Sequence, residues 1–153
     1  MTRFGKVMLS ALLFTALAAC GEDPDGRPAN GDEPENGLTA FEEEHGIGPF
    51  TEEVTLDDEV DQELAMEGQN VYELNCEACH MIDESFVGPA LGGILDRRTP
   101  TFVMNMIMNP SEMANRHPEI QELLRDYPVI MPYQNISEEQ ARAIVEYLRI
   151  AQE

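Results

Sequence analysis

Cys76-Glu77-Ala78-Cys79-His80 decides how the rest of the chain is read. Two cysteines three positions apart, followed at once by a histidine, form the attachment signature of c-type haem. On one helical turn each thiol can add to one haem vinyl group, and the adjacent His80 can offer its imidazole to the iron as the proximal ligand. A thioredoxin-like redox pair would also carry Cys-x-x-Cys, but it belongs beside a βαβ pattern that the sequence lacks. Half of a zinc site would need a second Cys/His pair at matching spacing, and there is none.

The cysteine count agrees. There are three cysteines, Cys20, Cys76 and Cys79. With two on haem and Cys20 used as below, none is left for a disulfide. A small exported domain often needs such staples, and a covalently tied apolar body can replace them.

The length of 153 residues allows one modest domain, without Trp, and the net charge of -21 excludes nucleic acid as a natural partner. The charge is unevenly spread. Residues 21–61 carry fifteen acids against Arg27 alone, whereas residues 62–153 carry fifteen acids against six arginines.

Residues 1–19 read as a signal peptide. Arg3 and Lys6 precede an apolar run from Val7 to Leu17, too short to span a membrane. Its end, Leu17-Ala18-Ala19-Cys20, resembles the lipobox of bacterial lipoproteins, in which the cysteine is lipidated and becomes the new N-terminus. Several acyl chains at Cys20 would hold the protein at a membrane surface, since one chain alone is marginal. That places the mature chain on the periplasmic or outer side of a bacterial membrane.

Residues 20–60 read as a lipidated cysteine followed by an acidic flexible linker. Glu22 to Asn36 is built from Pro, Gly, Asp, Glu and Asn and has too little apolar surface to offset chain entropy. A flexible coil of forty residues has an r.m.s. span on the order of 35 Å. Glu44 to Phe50 is less bland, with Ile47 and Phe50 among glycines; it reads first as a loosely packed turn with His45 solvated, the alternative being that it lies back along the domain or a partner.

Residues 61–153 carry the folded, all-α domain, expected to hold three to five helices around one haem. The first helix should run from about Asp61 to Cys76, with Leu64, Gly68, Val71 and Tyr72 on one face. Glycine in mid-helix costs about 1 kcal/mol against Ala, so Gly68 suggests a close helix crossing. Thr99-Pro100 opens another helix with Phe102, Val103, Met106 and Ile107 on its apolar side, and Asn109-Pro110 stops it. A short helix follows around Pro118 to Asp126. The last begins at Ser137, with Gln140 completing a capping box and Ile144, Tyr147 and Leu148 forming its buried stripe.

Residues 62–153 resemble small class I c-type cytochromes. The resemblance rests on Gly68 and Tyr72 ahead of the Cys-x-x-Cys-His run, then Val87-Gly88-Pro89-Ala90-Leu91, and finally Met131-Pro132 before the last helix. It implies that the first and last helices cross at the glycine. It implies too that the Pro89 carbonyl accepts the His80 ring proton, and that Met131 is the second axial ligand. The missing Trp leaves Arg97 or Arg98 as candidates for the haem propionates.

Nine methionines compete for the ligand role. Met66, Met104, Met106 and Met108 fall on helices and read as packing, and Met81 is too near His80 to reach the opposite haem face. Met113 and His117 are the remaining competitors. Met131 lies in an irregular stretch between Pro128 and Pro132, where proline restricts the loop that must hold a sulfur on iron.

With both axial positions filled, the iron changes charge and does not readily bind substrate, which makes the protein a single-electron carrier and not an enzyme. A haem enzyme or gas sensor would need a labile second ligand. A structural lipoprotein holding another metal would lack covalent haem. More narrowly, Gly46-Ile47-Gly48-Pro49, Arg97-Arg98-x-Pro100 with Asn105-Met106, and Met131-Pro132-x-x-Asn135 resemble cytochrome lipoproteins encoded beside nitrous-oxide reductase. That likeness implies electron delivery to this reductase, with a terminal oxidase as the competing acceptor.

Overall fold

A computed structural model describes residues 37–151; the expected signal peptide 1–19, the expected lipidation site Cys20 and the expected linker up to residue 36 lie outside the described residues. Among the described residues there are seven helices and no strand: α1 (Ala40–His45), α2 (Gln62–Asn75), α3 (Ile94–Arg97), α4 (Pro100–Met108), α5 (Pro110–Arg116), α6 (Pro118–Asp126) and α7 (Glu138–Ile150). The all-α expectation holds. The short helices α1, α3 and α5 are not anticipated by the sequence reading. Pro110 ends α4 and also opens α5, because proline at a first helical position loses no hydrogen bond.

The two long helices, α2 and α7, cross closely at Gly68. A Cβ built on Gly68 would overlap the carbonyl of Ala143, so the two backbones touch where the sequence suggested a crossing. Each helix is fixed at its start. The Asp61 carboxylate accepts from the amides of Glu63 and Leu64 at 3.1 and 3.0 Å. Ser137 and Gln140 form the reciprocal capping box. Val71, Tyr72, Val103, Met104, Ile107, Ile144, Val145 and Leu148 close the main core between α2, α4 and α7.

The linker expected over residues 20–60 is shorter than the sequence suggested, because the chain from Leu38 onward is folded onto the domain. Leu38 and Ile47 are 1% and 6% exposed and share a second apolar cluster with Phe102, Met113, Ala114 and Ile120. Burying two such side chains contributes about 4 kcal/mol before chain entropy is counted. The segment's polar backbone is satisfied by α4. Asn105, fully buried, accepts from the Phe50 amide at 3.0 Å and donates to the carbonyls of His45 and Phe50 at 3.0 and 3.1 Å. The Thr101 hydroxyl accepts from the Val54 amide at 2.8 Å. His45, expected to be solvated, is instead buried against Phe41, with Nδ1 3.0 Å from the Thr99 hydroxyl.

Further along, Arg149 gathers the carbonyls of Asp57 and Asp58 at 2.8 and 3.0 Å. It is held in turn by Glu146 at 2.9 Å, a carboxylate almost wholly buried on α7. The segment is thus pinned at both ends, to α4 and to α7.

Gly68→Ala should destabilise the folded protein by about 3 kcal/mol, the scale of an overpacked interior. Chemical denaturation followed by circular dichroism measures it, and an unchanged midpoint would refute the backbone-to-backbone crossing.

Candidate functional site

The C-terminal end of α2 delivers the cysteines. After Asn75 the chain makes a tight turn in which the amides of Cys79 and His80 donate to the Cys76 carbonyl at 3.0 and 2.9 Å. The following loop is tied back on itself by Gly88 N–H to the Cys79 carbonyl, Leu91 N–H to Met81 and Gly92 N–H to Ile82, at 2.9, 2.9 and 2.7 Å. The Tyr72 hydroxyl donates to the His80 carbonyl at 2.5 Å. Burial pushes the Tyr72 phenol well above its ordinary pKa, so it remains a donor.

This turn opens into an apolar cleft of about 340 Å³. Cys76, Cys79 and His80 line it, together with Leu91 and Ile94, Phe102, Val103 and Ile107 of α4, Ile120 and Leu123 of α6, and Leu148 of α7. Water has a liquid volume of about 30 Å³, and polar partners are what hold it in a cavity. A cleft of this size and lining suits a large apolar group.

His80 is held in one orientation. Its Nδ1 lies 2.9 Å from the Pro89 carbonyl. A carbonyl only accepts, so Nδ1 carries the proton and donates, which leaves the Nε2 lone pair of the neutral ring free to bind a metal. Gly88 lies against the ring, and a Cβ there would collide with it. The resemblance implied this pairing, and the folded chain contains it.

Both cysteines are free thiols, each half-buried. Burial, then the neighbouring Cys79, pushes the Cys76 thiol up to about 11. Disulfide exchange proceeds through the thiolate, which this rise disfavours at Cys76. Among the described residues no cluster of three or more His, Cys, Asp or Glu is placed to hold a metal ion. Two thiols on one turn, a neighbouring imidazole with a free nitrogen and apolar walls together fit covalent haem.

Met131 lines the cleft, half-buried in the loop between α6 and α7. Met106 of α4 lines it too, although its helical position read as packing alone. Met104 and Met108 pack in or against the core as expected, while Met66 is 61% exposed and packs little. The two remaining competitors are engaged elsewhere. Met113 is fully buried and its sulfur accepts from the Ile47 amide at 3.0 Å. His117 is buried behind Phe102, with ring centroids 5.2 Å apart, and its Nε2 lies 3.2 Å from the Glu43 carbonyl.

Arg97 and Arg98 both line the cleft. Arg97 donates to the Gly92 carbonyl at 3.2 Å. Arg98 pairs with Glu119 and its guanidinium carbon lies 5.1 Å from the Phe102 ring centroid. Val129 and Ile130 line the cleft and are largely exposed, Phe86 and Tyr133 are exposed on the same two loops, and Ser85 and Tyr127 join the loops by a 2.8 Å hydroxyl contact. These exposed apolar side chains on the two loops are a feature the sequence reading missed.

Residues 65–152 match the family model described as Cytochrome c. Among solved structures the chain is similar to a cytochrome c from Rhodothermus marinus, 43% identical, with a TM-score of 0.66, covering 69% of this chain and 90% of that one. An engineered form of that cytochrome is similar at 42% identity and a TM-score of 0.65, with the same coverage. Another engineered form, bound to a carbene intermediate, is 42% identical with a TM-score of 0.63. No curated protein matches the chain.

Replacing both thiols, Cys76→Ala with Cys79→Ala, should abolish haem that survives a denaturing gel, as read by haem staining. Retention of stain in the double variant would show that attachment lies elsewhere.

Proposed function

Because the chain belongs to the cytochrome c family, we propose that its haem c is held by Cys76 and Cys79 between His80 and Met131, and that it carries single electrons from a membrane tether at Cys20. The family supports covalent haem c and an electron-carrier role. The haem supplies an iron centre that accepts or gives up one electron. The chain's own residues do the rest. Cys76 and Cys79 fix the group, His80 presents Nε2, Pro89 holds the ring, and the apolar walls exclude water.

The observation that carries this reading is the 2.9 Å contact between His80 Nδ1 and the Pro89 carbonyl inside an apolar cleft that Met131 also lines. A methionine ligand favours the reduced iron and raises the potential. Met131 is favoured over Met106 because it comes from a loop that can seat its sulfur, whereas Met106 is fixed by the packing of α4.

The acceptor we propose is nitrous-oxide reductase, with a terminal oxidase as the alternative. The acidity of residues 62–153, fifteen acids against six arginines, suits a basic docking surface on such a partner. Phe86, Val129, Ile130 and Tyr133 offer the apolar centre of that contact. The lipobox-like end at Cys20 and the acidic stretch after it support a tether that keeps the domain within reach of periplasmic partners.

A second reading, a haem that binds small ligands or performs catalysis, draws on one observation. Among the described residues, the loop from Ile130 to Asn135 makes no hydrogen bond with the rest of the domain. A loop so lightly held could release its sulfur.

Met131→Ala should keep its covalent haem and lose the weak near-infrared absorption of a methionine–iron bond. Its potential should fall and the reduced form should bind carbon monoxide more tightly, while Met106→Leu leaves all three unchanged. If Met106→Leu abolishes the absorption instead, the ligand is Met106. Rapid, tight carbon monoxide binding by the parent would favour the second reading. For the partner, the reduced protein should be reoxidised by nitrous-oxide reductase in the presence of nitrous oxide, at a rate that falls as salt rises. No reoxidation removes this acceptor, and a flat salt dependence removes electrostatic steering.

A further inference from the structure

His117 is a chemically competent ligand held just outside the haem cleft. Its Nε2 faces the Glu43 carbonyl at 3.2 Å and therefore carries the proton. Its Nδ1 is buried with no hydrogen-bond partner, so a free imidazole lone pair lies in the interior. Phe102 touches both, its ring perpendicular to that of His117 while it also lines the cleft. On either side in sequence, Ala114 and Ile120 line the cleft as well. Imidazole suits iron, whereas a thioether is a soft ligand that suits metals such as Cu(I). Ligand strength alone would therefore favour His117 over Met131 on the oxidised iron, and something must keep it away.

The restraint comes from the N-terminal segment, which lies before the stretch matched by the family. The carbonyl of Glu43, in α1, accepts the hydrogen bond from Nε2. The segment is keyed into α4 by Asn105, whose side chain bonds His45 and Phe50 while Gly48 lies directly against it. Ile47 holds α5 through the sulfur of Met113, and Asn109 donates to the Ile47 carbonyl at 3.3 Å. The helices α5 and α6 pack on each other, and of the two only α5 makes more than slight contact with another helix, α4. The segment therefore supplies much of what fixes their position.

We propose that the segment from Leu38 to Val54, keyed by Asn105, is a ligand-selection clasp that withholds His117 from the haem so that Met131 takes the second axial position. The inference rests on Met131 being the ligand in the parent. Loosening the clasp lets α5 and α6 shift, and the His117 imidazole replaces the Met131 sulfur in a ligand exchange that moves no electron. Asn105 is a positioning residue, acting on the iron only through His117.

The test uses full-length holoprotein with four forms: the parent, His117→Gln, Asn105→Ala, and Asn105→Ala with His117→Gln. The parent and His117→Gln should share the near-infrared absorption and the potential. Asn105→Ala should lose most of that absorption in the oxidised state and shift to lower potential, and adding His117→Gln should restore both. A merely destabilised protein would not be rescued by removing an imidazole. Full absorption in Asn105→Ala overturns the proposal, and so does a loss that His117→Gln does not reverse. If Asn105→Ala does not accumulate, Gly48→Ala, which presses a methyl group on the Asn105 side chain, carries the same comparison. A parent that itself lacks the absorption refutes the Met131 assignment, a result separate from either outcome in the variants.

Discussion

Gly68 and Ala143 meet backbone to backbone, and the position of the haem-binding turn follows from that contact. Because α2 is locked against α7 there, Tyr72 and the helix end at Asn75 are fixed one turn and two turns further on. Tyr72 then carries the restraint across to the His80 carbonyl, and Pro89 carries it to the ring. From glycine to imidazole the restraint runs through one backbone packing contact, the helix itself and two hydrogen bonds. A bulkier residue at position 68 would therefore be felt at the His80 ring as well as in stability.

The opposite side of the cleft is built differently. The loop that bears Met131 depends on side-chain packing and on the Ser85–Tyr127 contact, with few backbone bonds of its own. A rigid proximal side and a lightly held distal side are compatible if something other than the loop decides which ligand wins. The N-terminal segment fills that role, since it occupies both Met113 and His117.

Much of this was legible in the sequence. The Cys-x-x-Cys-His run, the glycine in mid-helix and the Ser137–Gln140 capping box are local signals, and each stands where it was read. The clasp was harder to see. Thr39 and Glu42 form a capping box as plain as the one at Ser137, yet it sits in an acidic, proline- and glycine-rich stretch whose composition reads as linker. What folds that stretch is a buried asparagine on α4, and no pattern of hydrophobic spacing announces a polar hub. Glu146 was missed for a related reason. A glutamate on a surface-like helical position reads as solvated until Arg149, itself held by the carbonyls of Asp57 and Asp58, is brought to it. Met106 shows the limit of helical periodicity, which reports that a side chain faces inward but not that the interior there is a cofactor cleft.

The central claim is that one haem is held between His80 and Met131. Magnetic circular dichroism of the oxidised full-length protein, from the visible into the near infrared, tests it most directly. The account predicts a low-spin, six-coordinate iron with a charge-transfer band characteristic of one imidazole and one thioether ligand. A high-spin spectrum, or the band of two nitrogen ligands, would contradict it.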